Sequence, residues 1–276
     1  MKESYNLRGA CFIALQKLPG KMDGTHDAVP SPKETGPEGV SEKERRKDYW
    51  RPRHEPYSLE LGGRRYDVFI EDEQGRLNIN FLDEDNREIF KRLLEVRGVT
   101  KGEAEVITDS LLDWLDEDDF PEPKGAESKF YESLPEPYTN RNGPLESLEE
   151  LTLVKGVSPG VYERIEEDLT VSGKELKINI NSASSGVVHA VLGIKPKEAG
   201  KLVAFVKEKG GIKNIDELKD IFFRFGVAGM DFEEASALMT TTNSPYISIR
   251  SQGSTMRQYR LLVDKKRGEI VAVYPE

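Results

Sequence analysis

The chain has 276 residues, 37% hydrophobic and 33% charged, with a formal net charge of -10 and one cysteine. That balance suits a soluble folded protein and argues against a nucleic-acid binder, which needs a basic footprint. The lone Cys11 excludes an intrachain disulfide and a cysteine-rich zinc site, and His26, His54 and His189 are too few and too scattered for a multi-histidine metal centre. No apolar run approaches the ~20 residues of a membrane span, and the Met1–Ser4 start lacks the apolar stretch of a secretory leader.

In chain order, Leu7, Ala10, Cys11, Ala14, Leu15 and Leu18 recur at helical spacing, and Pro19-Gly20 stops the pattern. Lys21 to Val40 is rich in Pro, Gly, Ser and charge and reads as a mobile polar loop. Ser41 to Lys47 reads as a short solvated helix, its Lys and Arg interleaved with acids. Tyr57–Leu61 and Arg65–Ile70 alternate like strands around Gly62-Gly63, which predicts a hairpin. At the far end Tyr246–Ile249, Tyr259–Val263 and Ile270–Tyr274 read as further strands. The expected fold class is α+β: a helix and an antiparallel sheet built from both ends of the chain, with a large, mostly helical domain between the strands. The expected boundaries are residues 1–79 and 244–276 for the sheet-bearing part and 80–243 for the helical part.

The helical part repeats itself. Leu77-Asn78-Ile79-Asn80 recurs as Ile178-Asn179-Ile180-Asn181. Helix–turn–helix patterns follow around Gly98-Val99 and Gly193-Ile194, with a third partial copy around Gly156-Val157. Glycine in each turn supplies the positive φ that a tight helical hairpin needs. The Asn residues are placed to cap the backbone turn that follows them.

The stretch with the most chemistry closes the first hairpin. Leu112–Asp119 brings four carboxylates, Asp116, Glu117, Asp118 and Asp119, to a helix C-terminus, and Glu127 follows beyond a Pro-bounded loop. A helix C-terminus already carries partial negative charge, so these acids are either solvated or neutralised by a cation. Calcium takes six to eight hard oxygens from an irregular loop. Asp116, Asp118 and Glu127, with Asn140 or Asn142 nearby, are the candidate donors, although the twelve-residue EF-hand order is missing. A helical-hairpin nucleic-acid-binding module is the alternative, since such hairpins aim backbone N–H groups at phosphates. Acids crowd all three turns and the second glycine of that motif is absent. For catalysis there is neither a Gly-x-Ser-x-Gly elbow nor a phosphate loop, His189 falls on an apolar helical face, and the chain is not expected to be an enzyme.

The ordered series Asp72-Glu73-x-Gly75-x-Leu77-Asn78-Ile79-Asn80, Asp113-Trp114-Leu115-Asp116-x-Asp118-Asp119, Gly125-Ala126-Glu127-x-x-x-Tyr131, Asn142-x-Pro144, Glu150-Leu151 and Ile178-Asn179-Ile180-Asn181-x-Ala183 resembles the general secretion pathway protein K family, minor pseudopilins of the type II secretion system. The resemblance covers roughly Trp50 to Tyr274. It implies a pilin-like N-terminal helix on an antiparallel sheet with an inserted helical domain. It also implies a place at the tip of the pseudopilus beside the I and J minor pseudopilins and other pseudopilins, and calcium as a structural cofactor. Asp116, Asp118, Glu127 and Asn142 are the metal positions carried over. Leu7, Cys11, Ala14 and Leu18 are the expected partner-binding face. Family members carry a short basic leader, a prepilin peptidase site and a membrane-spanning apolar helix, and the resemblance implies that this helix anchors the full-length form in the bacterial inner membrane with its soluble domain in the periplasm. Tyr5 to Leu18 resembles only the last turns of that helix, so this chain is expected to lack the anchor.

Overall fold

The computed structural model describes residues 2–18, 49–53, 55–225, 232–254 and 258–275. The expected loop Lys21–Val40 and short helix Ser41–Lys47 lie outside the described residues. Two compact units divide the chain: Met1–Glu73 with Asn243–Glu276, and Gln74–Thr242.

The first unit is one helix on one sheet. Helix α1 (Lys2–Lys17) packs on an antiparallel sheet of order β1-β2-β7-β8-β9, formed by Tyr57–Leu61, Arg64–Asp72, Tyr246–Gln252, Gln258–Asp264 and Glu269–Pro275. The β1–β2 hairpin turns on Gly62 (φ +60°) and Gly63 (φ +74°). Two successive positive φ angles make the turn whose twist matches the flanking strands, and only glycine adopts both without strain. Val68 and Ile70 of β2, Ile247 and Ile249 of β7, and Leu261 and Val263 of β8 alternate onto one face and form the core with α1. The Ser251 hydroxyl donates to the Leu7 carbonyl (2.7 Å), and the Cys11 thiol donates to the carbonyl of Tyr259 (3.2 Å). Burial pushes that thiol up to about 11, so it remains a small, protonated packing group. No helix among the described residues is long and apolar enough to cross a membrane.

The second unit is helical and internally duplicated. In order it contains β3 (Leu77–Asn78), α2 (Arg87–Val96), α3 (Lys101–Leu115), α4 (Ser128–Glu132), α5 (Pro159–Ile165), β4 (Leu169–Thr170), β5 (Ile178–Asn179), α6 (Ser185–Leu192), α7 (Pro196–Glu208), α8 (Glu217–Arg224), α9 (Phe232–Ala237) and β6 (Met239–Thr240). β3 pairs with β4 and β5 with β6, both parallel. The repeated Asn residues explain why such short strands persist. Asn78 Oδ1 accepts from the Asn80 N–H (3.2 Å), as Asn179 Oδ1 does from the Asn181 N–H (3.1 Å). Asn80 then grips both backbone groups of Leu145, at 2.9 and 2.8 Å, as a strand neighbour would. Asn181 grips Ile212 the same way, at 2.9 and 2.7 Å. Thr170 and Thr240 close the scheme, their hydroxyls accepting from the N–H of Ser172 and Thr242.

The two copies differ in length. The first Asn clamp reaches across 65 residues and the second across 31. The first copy's extra chain includes the acidic segment and α4. Gly98 (φ +81°) and Gly193 (φ +62°) turn the hairpins α2–α3 and α6–α7. The third partial copy, expected as helix–turn–helix, opens instead on a 3₁₀ turn (Leu148–Leu153) before Gly156 and α5. One core runs through both copies, from Phe90, Ile107 and Leu111 to Val188, Leu202 and Leu218.

Candidate cation site

α3 starts cleanly. Thr100 caps it, and Glu103 returns the contact in a capping box. Its apolar stripe Ala104, Ile107, Leu111 and Trp114 is buried. Two carboxylates one turn apart, Asp109 and Asp113, are buried on the same helix. An acid in such a place costs free energy unless its oxygens find donors, and both turn to the segment that leaves the helix. Asp109 Oδ2 accepts from the Lys124 N–H (3.0 Å), and Asp113 Oδ1 from the Glu122 N–H (2.8 Å). The Arg87 guanidinium, on α2, adds ion pairs to Asp109, to Glu84 (2.6 Å) and to Glu122 (3.1 Å). The Lys155 ammonium donates to the carbonyls of Lys124 (3.0 Å) and Gly125 (2.8 Å). Gly125 is required here, because a Cβ on it would lie 1.9 Å from Asp113 Oδ2.

The folded-back segment delivers Glu127 to the end of α3. Asp113, Asp116 and Glu127 each place a carboxylate oxygen within 4.8 Å of those of the other two. Each ligand candidate is half satisfied. Glu127 Oε2 accepts from Asn140 Nδ2 (2.7 Å), while Glu127 Oε1 is buried without a partner. Asp113 Oδ1 is held by Glu122, while its Oδ2 is buried without one. Asp116 Oδ1 is likewise buried and unpartnered. Asn142 sits at φ +49°, donates from Nδ2 to the Asp118 carbonyl (3.3 Å), and leaves its Oδ1 buried and unpartnered. Native proteins rarely leave so many buried acceptors unpaired. Oxygens with no hydrogen to accept are what a hard cation coordinates.

The electrostatics agree. Burial pushes Glu127 up to about 7, the neighbouring charges of Asp113, Asp116 and Asp119 push the same way, and the Asn140 hydrogen bond opposes them. Burial likewise raises Asp113, with Asp109 adding, and raises Asp116, with Asp118 and Asp113 adding. Like charges desolvated together resist ionising, and a bound cation reverses that preference.

Of the four metal positions expected from the sequence, Asp116 and Glu127 are brought together and Asn142 reaches the same loop. Asp118 is not in the cluster: its Oδ1 accepts from the Phe120 N–H (2.8 Å) in a local turn on the exposed side. Asp113 takes the place expected of it. The signal that finds Asp113 is its spacing, three residues before Asp116 on a helix whose neighbours Leu112 and Trp114 are core residues. The four residues expected to meet partners, Leu7, Cys11, Ala14 and Leu18, are 2%, 0%, 0% and 6% exposed. They pack on the sheet of their own unit, and the exposed side of α1 carries Tyr5 and Arg8.

A helix-backed antiparallel sheet joined to a duplicated helical unit is the fold of a chain in the crystal structure of the GspK–GspI–GspJ complex from the enterotoxigenic Escherichia coli type 2 secretion system. That chain matches with a TM-score of 0.67 at 16% identity, over 100% of this chain and 96% of the other. Residues 75–174 match the family model described as type II secretion system (T2SS), protein K. Over those residues the chain is similar to the type II secretion system protein K family. The protein of that name from Pseudomonas aeruginosa is 32% identical over 155 residues, 54% of this chain and 46% of the relative. Its counterpart from Aeromonas hydrophila is 34% identical over 125 residues, 45% of this chain and 34% of the relative. The chain thus spans less than half the length of these curated relatives.

Proposed function

We propose that this chain is the folded part of a minor pseudopilin that assembles with the I and J minor pseudopilins of a type II secretion system and caps the tip of the pseudopilus. The family match over residues 75–174 carries the proposal. The second unit is then an insertion into a pilin-like unit. In support, β2 ends at Asp72 and its sheet neighbour β7 begins at Tyr246, in register Asp72↔Ile247, so the chain leaves and re-enters at one corner. So large an insertion would obstruct a subunit stacked above it, which makes the terminal position the one that fits and gives this subunit a role in nucleating the filament. The full-length form would be anchored in the inner membrane with these units in the periplasm. Its work would be non-enzymatic, expressed in protein–protein contacts.

Calcium fits the acidic site as a structural ion. Asp113, Asp116 and Glu127 would hold it, with Asn142 as a further oxygen donor. When bound it would supply positive charge that neutralises the buried carboxylates and staples the loop to the end of α3. Oxygen-only donors and an irregular loop favour calcium over the transition metals. Magnesium, which dehydrates reluctantly, suits a site crowded with protein oxygens less well.

Mixing the chain with the soluble domains of the I and J proteins tests the assembly reading. Size-exclusion chromatography with light scattering is expected to show a stoichiometric ternary species in calcium and a diminished one in chelator. Three separate species under both conditions would contradict it.

A further inference from the structure

Asn140 lies outside the ligand set, yet it is only 7% exposed and touches both arms of the site. Its Nδ2 donates to Glu127 Oε2 (2.7 Å) and to the Asp113 main-chain carbonyl (3.3 Å). Its Oδ1 accepts from the Ser128 hydroxyl (2.5 Å). This network fixes the amide's orientation. Turned over, Asn140 would set its oxygen against a carboxylate and a carbonyl, neither of which has a hydrogen to give. Ser128 follows Glu127 directly in sequence, so the serine that orients the amide and the carboxylate that the amide grips are adjacent on the start of α4. Asp113 belongs to the end of α3. Asn140 therefore ties the two ligand-bearing segments together and occupies one oxygen of Glu127, leaving the unpartnered Oε1 for another contact.

We propose that Asn140, oriented by Ser128, is a positioning residue of the cation site. It holds Glu127 in the pose that directs Oε1 toward the ion and fixes the spacing between Glu127 and Asp113. The proposal rests on the cation reading above. Residues that orient metal ligands without touching the ion typically account for 10–100-fold in affinity. Asn140→Asp keeps the shape, removes both donors and sets a second carboxylate against Glu127. Ser128→Ala removes the group that orients the amide, whereas Ser128→Thr keeps the hydroxyl.

The test is calorimetric titration of the full chain with calcium, comparing the unmodified protein, these three variants and Leu202→Ala. Leu202 is a fully buried residue of α7 in the other copy, and its truncation lowers stability without touching the site. Calcium affinity is expected to fall at least about tenfold in Asn140→Asp and measurably in Ser128→Ala, and to stay unchanged in Ser128→Thr and Leu202→Ala. If Asn140→Asp does not fold, the Ser128 pair decides the question. Unmodified protein that binds calcium, with Asn140→Asp or Ser128→Ala binding as tightly or more so, overturns the proposal. Equal weakening by Leu202→Ala also overturns it, since general destabilisation would then account for the loss. Failure of the unmodified protein to bind calcium overturns the cation reading itself.

Discussion

Glu127→Gln is expected to stabilise the calcium-free protein at pH 8 and to remove most of its response to calcium. The two halves of this result have opposite signs and one cause. Glu127 is buried with its pKa raised to about 7, so the calcium-free fold resists the charge that the unfolded chain carries freely. A group whose folded pKa is raised contributes its stability at low pH and loses it as pH climbs through the folded value. The neutral amide escapes that loss. Its advantage should therefore be absent below the ordinary carboxylate range, grow between about pH 4.5 and about 7, and amount to roughly 1–3 kcal/mol above it. Calcium reverses the order. At a hundred times its dissociation constant a ligand stabilises by about 2.7 kcal/mol, which is roughly 5–10 °C for a unit of this size. Thermal melts of both proteins at pH 5 and pH 8, each with calcium and with chelator, check all four corners. A glutamine variant that melts lower than the unmodified protein in chelator at pH 8 would remove the desolvated-carboxylate account.

Asp168→Ala should destabilise the second unit by about 2–4 kcal/mol, because it strands two partners at once. Asp168 is 3% exposed and is gripped by the Arg97 guanidinium at 2.5 and 2.8 Å. Its Oδ1 also accepts from the Ser184 hydroxyl (2.6 Å), and Ser184 is the N-cap of α6. The carboxylate thus joins the end of α2, in the first copy, to the start of α6, in the second. The pairing with Asp168 raises Arg97 above its usual range despite the opposing cost of burial; truncation removes that support, yet a guanidinium stays charged, so it is left without its partner. Urea denaturation should show a lower midpoint at an unchanged slope. A change below about 0.5 kcal/mol would place the pair among the surface ion pairs, which contribute little.

Much of the architecture was legible because it rests on local rules. Gly62-Gly63 between alternating segments specified the hairpin, and the apolar residues of α1 specified a one-sided helix. The Leu-Asn-Ile-Asn repeat carried the internal duplication, since each Asn makes a local turn visible two residues on. Its reach to Leu145 and Ile212 was not legible, because a side-chain clamp across tens of residues leaves no periodic trace. The site was half legible. Acids at a helix C-terminus flagged a charge to be neutralised, but spacing cannot say which way a loop carboxylate points. Asp118 bonds its own loop, and Asp113 joins the cluster because α3 aims it at the returning chain. Periodicity also marked Leu7, Cys11, Ala14 and Leu18 as an apolar face without saying what covers it, and in the fold the sheet does.

Titrating the calcium-depleted, unmodified chain with calcium by isothermal calorimetry tests the cation site most directly. The account predicts saturable binding that weakens as pH falls from 8 to 5, because protons compete for carboxylates already reluctant to ionise. No saturable heat, together with identical melting curves in calcium and chelator, would contradict it and leave the buried oxygens of Asp113, Asp116, Glu127 and Asn142 without a partner.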